Sequence, residues 1–218
     1  MINSDSINLR VARPDEVELV REVLRTIYYP EEAITISYMH GSEPTLDDER
    51  FSLSFVQQGT VVLAEDSNTS KPMGISIAGP IEPGDPDLMV QEAAITETKK
   101  WSDILKLLAL LERTADVCGR YGLPRAYHVH ILAVDPACRG HALGFRLMQF
   151  QIDLARKLGF GAISGDFTSV YSAKIADKLE MECINELSLG DYRDEKSDKL
   201  FDPQEAHRVI KTYAKVLK

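Results

Sequence analysis

Residues 130–144 of the 218-residue chain read HILAVDPACRGHALG, and this stretch decides which fold the sequence predicts. It begins as a β-rich strand that ends at Asp135-Pro136. A tight turn containing Arg139, Gly140 and Gly144 then leads directly into a helix. Such a turn gathers backbone N–H groups and the positive end of a helix dipole, which suits a pyrophosphate. The pattern also occurs in strand-to-helix turns that bind nothing, and it matches neither GxxxxGK[ST] nor GxGxxG.

The segments on both sides of this turn predict strands that alternate with helices. The predicted strands cover residues 7–12, 60–66, 73–80, 127–134, 162–167, 183–192 and 209–217. The predicted helices cover residues 15–26, 46–58, 102–121, 140–158 and 172–179, and residues 81–86 are predicted as a loop. This order predicts an α/β (mixed α+β) fold with a central twisted mixed sheet flanked by helices. Because no repeat or Ser/Gly linker divides the chain, we expect a single domain over residues 1–218.

The composition limits the partners and the compartment of the protein. Thirty-four acidic residues against 25 basic ones give a net charge of −9, which disfavours a nucleic-acid partner. The three cysteines are scattered, the N-terminus lacks an apolar leader core, and Lys106 interrupts the longest apolar run. We therefore expect a cytoplasmic protein with reduced thiols and no membrane partner. We also predict a monomer.

Several segments together resemble a known enzyme family. Residues 139–144, RGHALG, resemble the acetyl-CoA signature Arg/Gln-x-x-Gly-x-Gly/Ala of the GNAT acetyltransferases. The similarity is greatest to arylalkylamine N-acetyltransferases, including the insect-type dopamine enzymes. It is carried further by Tyr29-Pro30-Glu31-Glu32, Lys100-Trp101, residues 169–174 (SVYSAK), Lys178-Leu179, and a tail with Phe201, Pro203 and His207.

This resemblance implies the GNAT acyl-CoA N-acyltransferase fold and acetyl-CoA as co-substrate. The implied reaction is acetyl transfer to the primary amine of an arylalkylamine such as dopamine, tyramine or serotonin, by direct attack in a ternary complex. Acetyl-CoA would lie in a splay between the strand ending near Val134 and the strand near Phe167. The implied acetyl-CoA-binding residues are Leu132, Ala133, Val134, Arg139, Gly140, His141, Ala142, Leu143 and Gly144.

Three alanines depart from the family pattern. Ala142 stands where the signature has its first Gly, and Ala33 replaces the Pro that follows the family's glutamate. Ala176 holds the place of the tyrosine that many relatives use as general acid.

An acidic pair near the end of the first helix supplies candidates for the base. An alkylamine with a pKa of about 10.4 is mostly ammonium at pH 7, and it must lose a proton before it attacks a thioester. On the residues alone, Glu31 and Glu32 read as solvated loop charges. Because Glu32 matches the family's catalytic glutamate, we predict that it is the general base, with Glu31 as the fallback.

Hydroxyl groups follow the last parallel strand of the predicted sheet. Ser172 and Thr168 match two serines of the insect-type relatives, so either could donate to the leaving sulfur or hold the amine. Both also precede or begin a helix, where Ser and Thr often serve as N-caps.

Two histidines are separated by one residue in the strand before the turn. In a regular strand His128 and His130 share one face with Leu132 and Val134. The pair resembles the histidines of vertebrate-type serotonin N-acetyltransferases, which implies a water-mediated proton path. Structural histidines and an H-x-H metal pair are alternatives. Because the sequence offers no clustered third ligand, we predict no metal.

The same sequence features are compatible with other activities. An enzyme acting on polyamines or agmatine, or using longer acyl chains, is compatible with the same motifs. The alanines at motif positions are compatible with a CoA-binding module without catalysis. Cys138 lies at a helix start, where the dipole could lower a thiol pKa and permit an acetyl-enzyme route.

Overall fold

The computed structural model describes residues 7–218, and it forms one seven-stranded sheet with helices on both faces. The prediction of no leader segment also depends on residues 1–6, which lie outside the described residues. The strands are β1 (Ile7–Val11), β2 (Val61–Asp66), β3 (Pro72–Ile81), β4 (Ala126–Val134), β5 (Ala162–Phe167), β6 (Glu182–Ser188) and β7 (Val209–Val216). The helices are α1 (Val17–Val23), α2 (Ala33–Ser37), α3 (Leu46–Ser54), α4 (Asp85–Ile95), α5 (Lys99–Ala115), α6 (Val117–Tyr121), α7 (Leu143–Lys157) and α8 (Val170–Lys178).

The strand order confirms the predicted mixed fold. The sheet runs β1-β2-β3-β4-β5-β7-β6, and every neighbouring pair is antiparallel except β4 and β5. A parallel pair needs a long crossover, which α7 supplies between these two strands. The turn at residues 135–142 therefore lies where β4 ends and this crossover begins.

Helices pack on the two faces of the sheet through separate apolar clusters. Helices α1 and α3 pack on β2 and β3, with Leu24, Leu63 and Ile75 fully buried. Helices α7 and α8 pack on the opposite face against β4, β5 and β7 through Met148 and Ile163. Among residues 7–218, no helix combines the length and the apolar character needed to cross a bilayer.

The structure differs from the predicted helices beyond their ends: the short helix α2 was not predicted, and two further differences have a clear cause. The predicted loop over residues 81–86 overlaps the start of α4, and no element was predicted over residues 87–95. Pro86 lies in the first turn of α4, where a missing N–H costs nothing. The predicted helix over residues 102–121 is divided at Asp116, whose φ of 40° is left-handed. The Asp116 side chain accepts from the Gly119 N–H at 3.1 Å and so caps α6.

Candidate active site

Strands β4 and β5 diverge and open a cavity in the middle of the sheet. Their pairing covers only Tyr127–Val129 against Ile163–Gly165, although both strands continue beyond it. The cavity at this opening is lined by all five side chains predicted to act in catalysis: Glu32, His128, His130, Thr168 and Ser172. Residues far apart in the sequence are thus brought to one place, while their chemical roles stay predictions.

An irregular segment carries Glu32 into the cavity. Helix α1 continues as a π turn at Leu24–Tyr28 and a 3-10 turn at Tyr29–Glu31. Glu32 then serves as the N-cap of α2: its Oε1 accepts from the Ile34 N–H at 2.9 Å, and its Oε2 accepts from the Thr35 N–H at 2.5 Å. These two bonds fix the orientation of a carboxylate that is only 8% exposed.

The neighbouring Glu31 lies in a different environment. It does not line the cavity, and its Oε2 pairs with Arg139 Nη2 at 3.0 Å on the surface. The geometry therefore favours Glu32 over Glu31 as the base that faces an amine.

The histidine pair lies beside a β-bulge. Ile77 pairs with Ile131 and Ala78 pairs with Val129, so His130 is an extra residue in β4. The two imidazole centroids lie 4.9 Å apart, and His130 also packs on Phe55 at 4.8 Å. The two rings pack on each other on one face of β4, as their spacing predicted.

The same bulge makes one prediction wrong. Leu132 and Val134 pack toward α7, and Leu132 also contacts the cluster of α7 and α8. They therefore lie on the face opposite to His128 and His130. The reason is that the inserted residue breaks the two-residue alternation on which the prediction depended.

Both histidines are neutral imidazoles near pH 7. Burial lowers the pKa of His128 despite nearby Asp166, and burial together with His128 lowers the pKa of His130 well below its usual value. His128 Nδ1 lies 2.9 Å from Ser164 Oγ, and its Nε2 lies 3.6 Å from Asp166 Oδ2. His130 Nε2 is buried without a hydrogen-bond partner among the described residues. Over residues 7–218, no group of three His, Cys, Asp or Glu side chains is placed to hold a metal ion.

Ser172 combines a structural bond with a place on the cavity wall. Ser169 is the N-cap of α8, and its Oγ accepts from the Ser172 N–H at 3.0 Å. Ser172 Oγ donates to Ser169 O at 3.1 Å and accepts from the Ser169 N–H at 3.3 Å. Ser172 thus takes part in the N-terminal cap of α8, which was the structural alternative to a chemical role. A chemical role for Ser172 requires its hydroxyl proton to turn from Ser169 O toward the cavity. Thr168 lines the cavity, and its carbonyl oxygen lies 3.0 Å from His207 Nδ1.

The predicted acetyl-CoA turn follows β4 and leads into the N-terminus of α7. Gly140 and Ala142 have φ values of 86° and 55°, and Ala142 is the N-cap of α7 without a side-chain capping bond. The first N–H groups of α7 are therefore available to an anion, as the helix N-terminus prediction requires. His141 lies between the two left-handed residues, and the Arg139 side chain is half-exposed.

Helix packing explains why residue 144 is a glycine. A methyl group on its Cα would lie 2.8 Å from Ile175 Cδ1, so α7 and α8 approach closely at this point. The neighbouring Leu143 is 2% exposed and belongs to the core with Leu147.

The end of β4 offers N–H donors to an acyl group. Asp135 N–H donates to Met73 O in β3 at 2.9 Å. Because donors alternate along a strand, Leu132 and Val134 direct their N–H groups to the other edge, from which β5 has diverged. Ala133 directs its N–H toward β3 instead. These two amides are suitable donors to the oxyanion of acyl transfer.

Cys138 lacks the properties of a nucleophilic cysteine. It is 7% exposed, and burial raises the pKa of its thiol above the ordinary value. The acetyl-enzyme alternative is therefore unsupported, because a reactive cysteine needs a lowered pKa and access.

Two acidic residues of the cavity were not predicted. Asp166 in β5 accepts from Thr212 Oγ1 at 2.6 Å and lies beside His128. Asp48 in α3 accepts from Tyr29 Oη at 3.2 Å. Burial, together with the negative charge of Glu32, raises the pKa of Asp48 to about 7. Asp48 gives no separate signal in the sequence, because an acid in the first turn of a helix is expected as a dipole partner.

Comparisons with known proteins agree with this geometry. Residues 100–169 match the model of the Acetyltransferase (GNAT) family. The structure of a mosquito arylalkylamine N-acetyltransferase-like 5b protein is 74% identical, covers 97% of this chain and 100% of its own, and has a TM-score of 0.96.

A Drosophila melanogaster polyamine N-acetyltransferase, an enzyme that catalyses the formation of N-acetylagmatine, is 36% identical. It covers 97% of this chain and 100% of its own, with a TM-score of 0.90. Arylalkylamine N-acetyltransferase 2 from Aedes aegypti is 20% identical, covers 97% and 99%, and has a TM-score of 0.88. This third match shows the fold alone.

Proposed function

This chain belongs to the GNAT family of acetyltransferases, and from that premise we propose that it uses acetyl-CoA to acetylate the primary amine of an arylalkylamine. The observation that carries the proposal is the cavity at the β4–β5 opening, which brings Glu32, His128, His130, Thr168 and Ser172 together. Tyr28, Phe51, Trp101 and Phe167 also line it and supply an aromatic wall for an aryl ring.

The residues present fit acetyl-CoA on the evidence of the backbone. The uncapped N-terminus of α7 supports pyrophosphate binding, with Arg139 as a charged partner. Leu132 and Val134 direct N–H groups into the opening, where they would stabilise the oxyanion when the amine attacks the thioester carbonyl. Acetyl-CoA supplies the acyl group and the thiolate leaving group.

Glu32 and the histidines would remove the proton of the substrate ammonium. Glu32 is held in one orientation by two amides, so it can accept a proton directly or through water. His128 and His130 are neutral and can accept a proton transiently in a path toward Asp166. Ser172 would donate to the departing sulfur after its proton turns from Ser169 O.

A second candidate substrate class is favoured by the charges of the cavity. Glu32, Asp48 and Asp166 line it, whereas no Lys or Arg does so among the described residues. Agmatine and the polyamines carry more than one positive charge, which three carboxylates suit. The polyamine enzyme at 36% identity adds to this case.

A thiol-release assay with acetyl-CoA tests the proposal and separates the two classes. The amine panel is tyramine, dopamine, serotonin, agmatine and spermidine. We expect release with at least one of the first three amines, at a higher kcat/KM than with the last two. Release confined to agmatine or spermidine would favour the second class. No release with any of them would overturn both.

A further inference from the structure

Two neighbouring carboxylates in the cavity have no direct cationic partner among the described residues. Among the described residues, neither Glu32 nor Asp48 forms an ion pair with Lys, Arg or His. Lys100 is close enough to lower the pKa of Asp48, but its Nζ donates to the carbonyl oxygens of Thr35, Gly41 and Glu43 at 2.9, 2.7 and 2.8 Å. All three donors of Lys100 are thus used, so its charge acts on the two carboxylates only through space.

Asp48 lies on the wall of the cavity that would hold the substrate. Asp48 lines the cavity from α3, on the wall to which Phe51 and Ser52 also belong. Its Oδ1 accepts from Tyr29 Oη, and it is further bonded to Ser52. These two hydroxyl groups orient the carboxylate but carry no positive charge.

Unpartnered polar atoms on the same cavity are independent evidence for a polar ligand. Thr35 is 1% exposed, and its Oγ1 is buried without a hydrogen-bond partner among the described residues. His130 Nε2 is in the same condition, and both residues line the cavity with Asp48. Buried polar atoms are normally bonded, so these two indicate that a ligand or water belongs there.

We propose that Asp48 is a substrate-binding residue whose carboxylate pairs with the ammonium group of the amine, beside Glu32. The inference rests on the proposed function, because it assigns the group that recognises the acceptor. A cation between the two carboxylates would relieve their mutual repulsion, so the amine would bind more tightly than one carboxylate alone allows.

This pairing makes amine binding depend on pH. The groups that face Asp48 are Tyr28 and Tyr29 from the turns before α2, Glu32 from the α2 N-cap, Ser52 from its own helix and Lys100 from α5. The pKa of Asp48 is raised to about 7, so its carboxylate is mostly protonated at pH 6 and mostly ionised at pH 8. The pKa values of His128 and His130 lie below that of an ordinary imidazole, so they titrate at lower pH.

Calorimetric titration with tyramine and agmatine at pH 6 and pH 8, with and without CoA, tests the assignment. For the wild type we expect the amine Kd to be about tenfold larger at pH 6, following the ionised fraction of Asp48. D48N should bind the amine at least about tenfold more weakly at pH 8, which corresponds to about 1.4 kcal/mol, with the same Kd at both pH values.

D47N is the matched control. Asp47 is the preceding residue of α3, it does not line the cavity, and an asparagine can still accept from Thr98 Oγ1 as Asp47 does at 2.5 Å. D47N should retain the wild-type Kd and its pH dependence. If D48N does not fold, equal binding by the wild type at pH 6 and pH 8 still contradicts the role of Asp48.

The outcomes separate this inference from the proposed function. Turnover in the wild type with a D48N Kd equal to that of D47N would overturn the role of Asp48 and leave the function intact. Amine binding that depends on Asp48, together with no thiol release, would overturn the proposed function and leave the role of Asp48 intact. A wild type that binds neither amine, with or without CoA, or that binds equally at pH 6 and pH 8, would overturn the inference.

Discussion

The predicted acetyl-CoA turn and the candidate amine cavity both adjoin β4, but they are built in different ways. The turn is one continuous segment, residues 135–144, and its groups are mainly backbone N–H donors fixed by two left-handed residues. The cavity is assembled from side chains of α2, α3, α5, β4, β5 and α8. Changes in the cavity should therefore alter chemistry and amine binding, whereas changes in the turn should alter donor binding or stability.

The largest expected effect is in the cavity. E32Q removes the predicted base while keeping the size of the side chain, so kcat/KM for the amine should fall about 10²–10⁴-fold. The Kd of acetyl-CoA, measured by calorimetry, should not change. E31Q is the matched control and should keep its turnover, because Glu31 pairs with Arg139 outside the cavity. A comparable loss in E31Q would transfer the base to that residue.

The next effect belongs to the turn. R139A removes a charged donor from the predicted pyrophosphate site, which should raise the Kd of acetyl-CoA about 10–100-fold. The Kd of the amine should stay near the wild-type value, and R139K should recover part of the loss. An equal weakening of amine binding would show that the two regions are not separable in this way.

A smaller effect concerns packing between α7 and α8. G144A places a methyl group against Ile175 Cδ1, at 2.8 Å before relaxation. We expect a loss of about 1 kcal/mol in unfolding free energy and a Tm lower by about 2–4 °C. I175V removes that Cδ1 atom, so G144A/I175V should be more stable than additivity predicts. If the stability changes of G144A and I175V simply add in thermal unfolding, the strain in G144A does not come from contact with Ile175 Cδ1.

The smallest effect concerns the left-handed N-cap of α7. Ala142 has a φ of 55°, which glycine adopts more easily. A142G should therefore change the unfolding free energy by less than about 1 kcal/mol, in the stabilising direction, because glycine's entropy cost offsets part of the relief. L143A, in the buried neighbour, should lose about 2–5 kcal/mol in the same assay. A destabilised A142G would indicate that the Ala142 methyl group contributes packing.

The turn was the more predictable region, because its signals are local. Asp135, Pro136 and Gly140 mark the end of a strand and a tight turn, and the following periodicity predicts α7. The alternation of strands and helices likewise predicted the mixed sheet. Glu32 and Ser172 were found by resemblance to a family, since neither residue differs locally from a solvated acid or a helix cap.

The cavity was less predictable, because its features depend on partners distant in the sequence. The bulge at His130 is set by the register of β4 on Ala78 and Ile77, so strand alternation alone placed Leu132 and Val134 on the wrong face. Asp48 is unusual only through its partly buried position beside Glu32. Helix α4 was missed because Pro86 fits a helix start as well as a loop.

The bulge also has a consequence for how amine preference could diverge among relatives. As the extra residue, His130 has no cross-strand partner in β3. Its side chain can be exchanged without disturbing a ladder pair, while the strand beyond it keeps the register that aims the Leu132 and Val134 amides. Evolution or engineering could therefore vary the acceptor side of this strand independently of the donor side.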